Sequence, residues 1–231
     1  MMLPFLSAGD VSAVSLSLKV ALTTTVLTLP PGFAVAYFLA RTQFRGKAVI
    51  EGVINLPLVV PPIVTGYLLL LLFGRNGFLG DLLAFFHLRV IFTLTGAVIA
   101  SAVVGFPLLV RAIRIGLEDI DFQYVQAARS LGAGWWDTLF HITIPLSFRA
   151  IIAGMSLMFS RSLGEFGATI ILAGNIPGRT QTIPLAIFQY ATTPEGDKMA
   201  LTLCLVSIFL SFFVLLLGEL ASHSIFRRSG R

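Results

Sequence analysis

The sequence is poor in charge and has almost no cysteine. Only 12% of its 231 residues are charged, whereas 56% are hydrophobic. A soluble domain of this length carries about a quarter charged residues, so this chain lacks the polar surface that would cover a water-soluble globule. We therefore expect lipid to be its main solvent. The single cysteine, Cys204, excludes an intrachain disulfide and a thiolate metal site.

Motifs for catalysis and for cofactor binding are also lacking. Gly46-Lys47 is followed by Ala48, and Arg41 stands where a Walker A motif has its first glycine, so the sequence contains no phosphate-binding loop. The histidines are far apart and form neither H-E-x-x-H nor a hydrolase triad. We expect no enzyme activity, no cofactor and no metal site. The N-terminal segment has no basic n-region and no small-residue cleavage site, so we expect no removable signal peptide.

Long apolar segments provide five candidate transmembrane helices. Four of them contain no charged residue, and each reaches the ~20 residues that cross a ~30 Å hydrocarbon core. The remaining segment is long enough but carries Arg149, Arg161 and Glu165. In chain order the predicted spans are residues 20–40, 52–74, 90–110, 146–172 and 199–218. We predict an all-α integral membrane protein, because open strands would leave amide groups unpaired in lipid.

The distribution of lysine and arginine predicts an outside N-terminus and a cytoplasmic C-terminus. In this orientation ten of the 16 basic residues lie on inner segments, five lie on outer segments, and Arg161 lies within the membrane. An excess of basic residues on inner segments is the usual orientation signal of membrane proteins. The basic residues fall in short gaps between apolar runs, so we expect contact with the bilayer and no binding of nucleic acid. Residues 124–145 are then cytoplasmic.

Prolines are expected to break two of the predicted spans. Leu29-Pro30-Pro31-Gly32 interrupts the first span, and the segment from Leu56 to Pro62 opens the second. Broken backbone at membrane depth is tolerated only where it is buried in protein or lines a wet cavity. These prolines therefore indicate either kinked packing or a second span that lines a solute path. The candidates for the pathway or for packing are Pro57, Pro61, Pro62, Thr65, Ser160, Arg161, Gly164 and Glu165.

The fourth span contains both charge and many small residues. Arg161 and Glu165 are four residues apart, which puts them on one face of a continuous helix, and pairing reduces the cost of burying their charges. The pair either fixes helix packing or exposes one member to the pathway. A carboxylate beside a route for an anion would repel it, which favours the packing role for Glu165. Gly164 and Ala168, also four apart, predict close helix contact within the bundle or at a subunit interface.

The cytoplasmic stretch begins with a short amphipathic pattern. Phe122, Val125, Ala128 and Leu131 recur at helical spacing and predict a short helix with one apolar stripe. Gly132 follows where a helix commonly ends in a left-handed residue. Such a helix either lies on the lipid headgroups or inserts into a groove of a cytosolic protein.

This stretch resembles the coupling-loop signature of bacterial ABC-importer permeases, which is E-A-A, three residues, G, nine residues and I-x-L-P. In this chain Gln126 replaces the acidic residue and Ile144 replaces the leucine. Gln126 lacks the charge for an ion pair with an ATPase, but the small residues and the spacing that docking requires are kept. The resemblance implies that the ATPase-coupling residues are Gln126, Ala127, Ala128, Leu131, Gly132, Ile142 and Pro145.

Three further segments, residues 56–67, 161–169 and 175–184, are similar to the molybdate permease subunits of these importers. Sulfate and thiosulfate permeases share the Leu-Gly-Glu-Phe-Gly-Ala core at residues 163–168, whereas the stretch from Asn-Ile-Pro-Gly to Thr-Ile-Pro favours molybdate. The resemblance implies a type I ABC importer permease-like fold. It also implies a single transmembrane permease domain over residues 1–231, with a cytoplasmic coupling loop at residues 116–145.

The function implied by the resemblance is that of the permease subunit of an ATP-driven molybdate importer in the bacterial inner membrane. The implied partners are a second copy of the chain, two cytosolic ABC ATPase subunits and a periplasmic molybdate-binding protein. An importer of tungstate, or of sulfate or thiosulfate, is the alternative of the same type. An uncoupled channel or a membrane scaffold is the alternative of a different class, and neither would need a helix that docks an ATPase.

Overall fold

The computed structural model describes residues 7–74, 77–80, 85 and 89–229, and the regular structure in these ranges is helical. In chain order the helices are α1 (Ala8–Arg41), α2 (Lys47–Val59), α3 (Pro62–Phe73), α4 (Leu94–Glu118), α5 (Phe122–Ser130), α6 (Trp135–Thr138), a π-helical segment (Leu139–Thr143), α7 (Ile144–Leu163), α8 (Gly167–Leu172), α9 (Ile183–Ala191) and α10 (Asp197–Ser229). The expected all-α architecture is confirmed.

Four helical runs of the described chain are long and apolar enough to cross a membrane. They are α1, α4, the continuous run Trp135–Leu163, and α10 over Asp197–Leu220. α2 and α3 meet the same criterion together, but a bend of 111° separates them, so they form either one broken span or a re-entrant loop. The prediction of five spans therefore corresponds to four long helices plus this bent pair.

Local hydrogen bonds explain where several helices begin. The Ser7 and Asp10 side chains form a capping box at the start of α1, in which each side chain accepts a hydrogen bond from the backbone N–H of the other residue. Thr93 caps α4 by accepting from the N–H of Gly96 at 3.3 Å, and Asp121 caps α5 by accepting from the N–H of Gln123 at 2.9 Å. These caps satisfy amide groups that would otherwise have no partner.

The main core lies where α1, α4 and α7 pack together. Leu39 of α1, Leu109 and Ile113 of α4, and Met158 of α7 are buried there. Gly154 allows the close approach of α7 to α4, because a Cβ atom on it would lie 3.2 Å from Leu109 Cδ1 and 3.3 Å from Ile113 Cγ1. Small residues at such crossings let membrane helices pack through van der Waals contact.

The expected interruption of the first span at Leu29 to Gly32 is wrong. α1 continues through Pro30 and Pro31 to Arg41 without a break. Both prolines lie on the exposed side of the helix, while residues before and after them, such as Val20 and Leu39, are buried in the bundle. Packing on both sides of the prolines outweighs the cost of about 3 kcal/mol that a proline imposes within a helix.

The predicted fourth span, residues 146–172, is two helices rather than one. α7 ends at Leu163, and α8 begins at Gly167 after a break at residues 164–166. Glu165 lies in this break, so the expectation that it shares a helical face with Arg161 is wrong. Gly164 makes no close contact within the described bundle, because it is exposed and a Cβ atom on it would meet only Ser160 O, at 3.9 Å; the alternative of close contact at a subunit interface stays a prediction.

Two helices have wide apolar surfaces that no other described part of the chain covers. α2 has no buried residue, and only 11% of the most apolar window of α10 is buried. Side chains such as Val53 and Val59 of α2 and Phe209 of α10 are more than half exposed. Exposed apolar surface of this extent is typical of a protein whose surroundings are lipid or another apolar protein surface.

Candidate coupling helix and permeation site

The candidate coupling helix, α5, is joined closely to two long helices of the bundle. Residues 119–121 connect it to α4, and Ile120 in this connection is buried. On its other side a short loop leads into the continuous helical run Trp135–Leu163. Both connections are short, so α5 lies close in the chain to α4 and to the run that contains α7.

α5 ends in a Schellman motif centred on Gly132. The N–H of Ala133 donates to the carbonyl of Ala128 at 3.0 Å, and the N–H of Gly132 donates to the carbonyl of Arg129 at 3.0 Å. Gly132 has φ +91°, and a Cβ atom on it would meet no atom within 4 Å. The predicted left-handed helix end at Gly132 is confirmed. Glycine is needed there for the backbone conformation that forms the two hydrogen bonds, and not to make room for a neighbouring group.

The exposed surface of α5 differs from the predicted apolar stripe. Val125 is only 6% exposed and is directed into the protein, whereas Leu131 is 90% exposed. The predicted stripe is present in part, because Val125 is buried and Ala128 is half-buried, whereas Leu131 follows the last residue of α5. The side chain of Phe122 lies outside those that the structure describes. The outward surface instead contains Tyr124, Gln126 and Ala127.

The remaining predicted coupling residues flank this surface. Gln126, Ala127, Leu131, Gly132 and Pro145 are exposed, while Ala128 and Ile142 are half-buried. Ser130 donates its hydroxyl to the carbonyl of Gln126 at 3.0 Å, which adds a bond within the last turn of α5. These residues therefore form a mainly exposed set, as expected for a surface that another protein grips.

An aromatic cluster links the coupling segment to α1. The rings of Trp135 and Trp136 meet edge to face with centroids 4.5 Å apart, and Trp135 packs against Tyr37 of α1 at 6.1 Å. Trp136 stacks on Phe140 of the π-helical segment at 6.0 Å. The cluster borders an apolar cavity of about 840 Å³ between α1 and α7. Sequence reasoning missed the π-helical segment, which has no distinctive pattern in the sequence.

The second candidate region is the helix-break junction, defined here by Pro62, Gly66, Glu165, Gly167 and Ala168. A Cβ atom on Gly66 would lie 2.7 Å from Ala168 Cα, and one on Gly167 would lie 2.9 Å from Pro62 Cβ. The break between α2 and α3 thus packs against the break between α7 and α8. Such contact requires glycine because any larger side chain would push the two backbones apart.

A carboxylate group stabilises one side of this junction. Glu165 is 1% exposed; its Oε1 accepts a hydrogen bond from the N–H of Ala168 at 2.8 Å, and its Oε2 lies 2.7 Å from Nη1 of Arg161. The predicted ion pair is present. The Arg161 side chain is 28% exposed, so the carboxylate is enclosed while the guanidinium keeps an open side.

The structure brings only some of the predicted pathway residues to the junction. Pro62 and Glu165 belong to it, and buried Thr65 and exposed Pro61 adjoin Pro62 and Gly66 in the chain. The other candidates lie nearby or elsewhere: Ser160, Arg161 and Gly164 occupy the end of α7 and the break after it, whereas Pro57 lines a separate apolar cavity between α2 and α4.

Comparison with known proteins identifies the family. Residues 32–227 match the model of the binding-protein-dependent transport system inner membrane component. The chain belongs to this family. It is 51% identical to the molybdenum transport system permease protein ModB of Haemophilus influenzae over 96% of this chain and 97% of that protein. It is 49% identical to ModB of Escherichia coli K12 over 95% of this chain and 96% of that protein.

A solved structure supports the same fold. A chain of the bacterial alginate ABC transporter, crystallised with an alginate-bound periplasmic protein, superposes with a TM-score of 0.75 at 14% identity. The match covers 96% of this chain and 81% of that one. The fold is therefore that of an ABC importer permease. The relatives are permease proteins rather than ATPases, and with its apolar helices this family member is a multi-pass membrane protein.

Proposed function

We propose that this chain is the permease subunit of an ATP-driven molybdate importer in the bacterial inner membrane. The observation that carries the proposal is the exposed α5 surface on an ABC importer permease fold, in a chain half identical to molybdenum permeases. The chain forms the translocation path, and a partner subunit hydrolyses ATP.

The orientation and the partners follow from the same reasoning. The two-to-one excess of basic residues on the side of α5 supports a cytoplasmic α5, an outside N-terminus and a cytoplasmic C-terminus. Two cytosolic ABC ATPase subunits bind the two α5 helices of a homodimer. A periplasmic molybdate-binding protein delivers the oxyanion to the outer face. The uncovered apolar surfaces of α2 and α10 are available to the second copy and to lipid.

Movement of α5 drives the proposed alternating access. The ATPases close on ATP and displace α5, and the short connection at residues 119–121 carries the movement into α4. The continuous run Trp135–Leu163 carries it along α7 to the helix-break junction, where α7 ends. The path opens by rigid-body rocking of these helices about the junction, because tightly packed elements move as units.

The electrostatics of the junction suit an anion. The Arg161 side chain is partly exposed, whereas the Glu165 carboxylate is enclosed and already bonded to Arg161 and to the N–H of Ala168. The hydroxyl oxygens of Ser160 and Ser162, beside Arg161 in the chain, are buried and have no hydrogen-bond partner within the described residues. A dianion passing this point meets donors rather than a free carboxylate.

The test is ATP hydrolysis by the reconstituted complex in lipid vesicles, with molybdate, tungstate and sulfate added in turn with their binding proteins. We expect molybdate to give the largest stimulation, together with ATP-dependent uptake. Stronger stimulation by sulfate or tungstate would reassign the substrate within the same type of importer. Oxyanion flux without ATP would identify an uncoupled channel, and an absence of both flux and stimulation would support a scaffold.

A further inference from the structure

A polar cavity lies between α2 and α4, at the end of the bundle that carries α5. It has a volume of about 350 Å³, and its polar wall contains Glu51 and Asn55 from α2 and Arg111 and Arg114 from α4. The α2 residues are four apart, so one face of α2 supplies both. This volume holds a small ion with several water molecules, although it is at the lower limit for an organic ligand.

The charges of the cavity wall favour an anion. The cavity lining contains two guanidinium groups and one carboxylate. Glu118, outside the lining, also pairs with Arg114, so the positive charge that is left without an acidic partner is that of Arg111. Arg114 donates through Nη1 to Glu51 Oε1 at 2.8 Å and through Nε to Glu118 Oε1 at 2.7 Å. These bonds use two of its five N–H donors and leave three. Among the described residues no hydrogen bond or ion pair engages Arg111, whose donors are therefore all available.

A smaller apolar cavity adjoins the polar one. It has a volume of about 270 Å³, shares Ile54 with the polar cavity, and is lined further by Pro57 and Phe106. None of those side chains provides a hydrogen-bond donor, so this apolar cavity offers no binding site for an oxyanion. The first donors along α2 towards the α5 end are the Asn55 amide and the two guanidinium groups.

We propose that this cavity binds one small tetrahedral oxyanion per chain, held by Arg111, Arg114 and the Asn55 amide. The inference rests on the proposed function and extends it, because the cavity is then the last binding site on the translocation path before the cytoplasm. A phospholipid phosphate group has the same chemistry and is the second possible source of the ligand, since basic pockets between membrane helices also bind headgroups.

The site is connected to the coupling helix. Arg114 and Glu118 lie in the last two turns of α4, and Asp121, which caps α5, follows three residues after Glu118. The ion pair from Arg114 to Glu51 joins α4 to α2 across the cavity. A displacement of α5 therefore alters the separation of the two walls, and with it the affinity for the oxyanion.

The experiment measures equilibrium binding of labelled molybdate to the permease–ATPase complex, without binding protein or ATP, in nanodiscs of zwitterionic phosphatidylcholine. We expect Arg111→Gln to weaken binding about tenfold, as the loss of one charge-assisted hydrogen bond predicts. Asn55→Asp, at an exposed position, adds a negative charge to the wall and is expected to weaken binding by at least as much. Arg45→Gln is the matched control, because Arg45 is an exposed arginine outside the cavity at the same end.

A second arm identifies the source of the ligand. In nanodiscs that contain anionic phosphatidylglycerol, a headgroup ligand would displace labelled molybdate from the native complex and would co-purify less with Arg111→Gln. A free oxyanion ligand would bind equally in both lipid compositions. Displacement by the headgroup and equal molybdate binding in both lipids each support the oxyanion site, provided that the binding is weakened in Arg111→Gln.

Molybdate and lipid binding that is the same in Arg111→Gln, Asn55→Asp and Arg45→Gln would overturn the inference, provided the variants melt at the native temperature without ligand. ATP-driven uptake by the same purified complexes, reconstituted with the binding protein in sealed lipid vesicles, separates this failure from that of the proposed function. A complex that imports molybdate but shows no Arg111-dependent binding rejects the cavity site alone. A complex that binds through Arg111 but does not import rejects the proposed function.

Discussion

The coupling helix and the helix-break junction are built by opposite means. α5 is held by hydrogen bonds within its own segment and by one buried anchor, Val125, and most of its predicted contact residues are exposed. The junction is held by backbones in direct contact at Gly66 and Gly167 and by an enclosed carboxylate. A change in α5 should therefore affect contacts with another protein, whereas a change at the junction should affect the folding of this chain.

The two regions also need glycine for different reasons. Gly132 is needed for its positive φ in an open turn, with no atom near the position of a Cβ. Gly66 is needed for space, because its Cβ position is occupied by the backbone of Ala168. The following predictions test this division, beginning with the largest expected effect.

Arg161→Ala is expected to destabilise the protein most. It leaves the Glu165 carboxylate, which is 1% exposed, without its ionic partner, and breaking a buried pair in this way costs about 3–5 kcal/mol. Glu165→Gln should cost less, because the Arg161 side chain is 28% exposed and is therefore less enclosed than the Glu165 carboxylate. Melting temperatures in detergent and membrane expression levels measure both effects. Normal levels of Arg161→Ala would contradict the stabilising role of this pair, and a changed substrate preference would then leave Arg161 with a role in the pathway alone.

Gly66→Ala is expected to destabilise the protein by about 1–3 kcal/mol, because an added methyl group overpacks the junction. Its Cβ would lie 2.7 Å from Ala168 Cα and 2.9 Å from Ala168 O. Gly52→Ala in α2 is the matched control, since a Cβ there meets nothing within 4 Å. Thermal unfolding of the two purified variants measures the difference. Equal melting temperatures would show that the contact between the breaks is not tight.

Gly132→Glu is expected to cost only about 1–2 kcal/mol of stability, the cost of a left-handed backbone at a residue other than glycine. It should nevertheless abolish ATP-dependent molybdate uptake, because it adds bulk and charge to the surface that the ATPase grips. Gly46→Glu is the control, with φ +96° and equally open surroundings at the start of α2. Uptake at the native rate in Gly132→Glu would contradict the docking role. Loss of uptake in both variants would assign the effect to backbone strain.

Periodicity and hydrophobicity predicted much of the fold. The apolar runs predicted the long helices, and Gly132 predicted the end of α5, because both signals are local in sequence. The Arg161–Glu165 pair was also predicted, since a lone charge in the membrane is costly. The geometry assumed for this pair was wrong because Glu165 lies in the break after α7, where its carboxylate accepts a hydrogen bond from the N–H of Ala168 in α8. The sequence does not reveal which backbone N–H will donate a hydrogen bond to the Glu165 carboxylate.

Other features depend on contacts between distant segments. The uninterrupted helix at Pro30 and Pro31 depends on packing of α1 against the bundle, which local propensity does not include. The inward direction of Val125 depends on where α5 meets the bundle surface. The polar cavity unites Asn55 with Arg111, and neither residue is distinctive alone. The candidate coupling motif is continuous in the sequence, whereas the residues of this cavity come from two helices that are far apart in the chain.

The most direct test of the central claim is cross-linking from the exposed Ala127 position in the assembled transporter. Ala127→Cys would be made on a Cys204→Ser background, which removes the only native cysteine. The account predicts that the introduced thiol cross-links to the ATPase subunit, that the yield changes when ATP is bound, and that a membrane-impermeant thiol reagent added outside intact cells does not label it. Labelling from outside the cell, or no cross-link to the ATPase in any nucleotide state, would contradict the account.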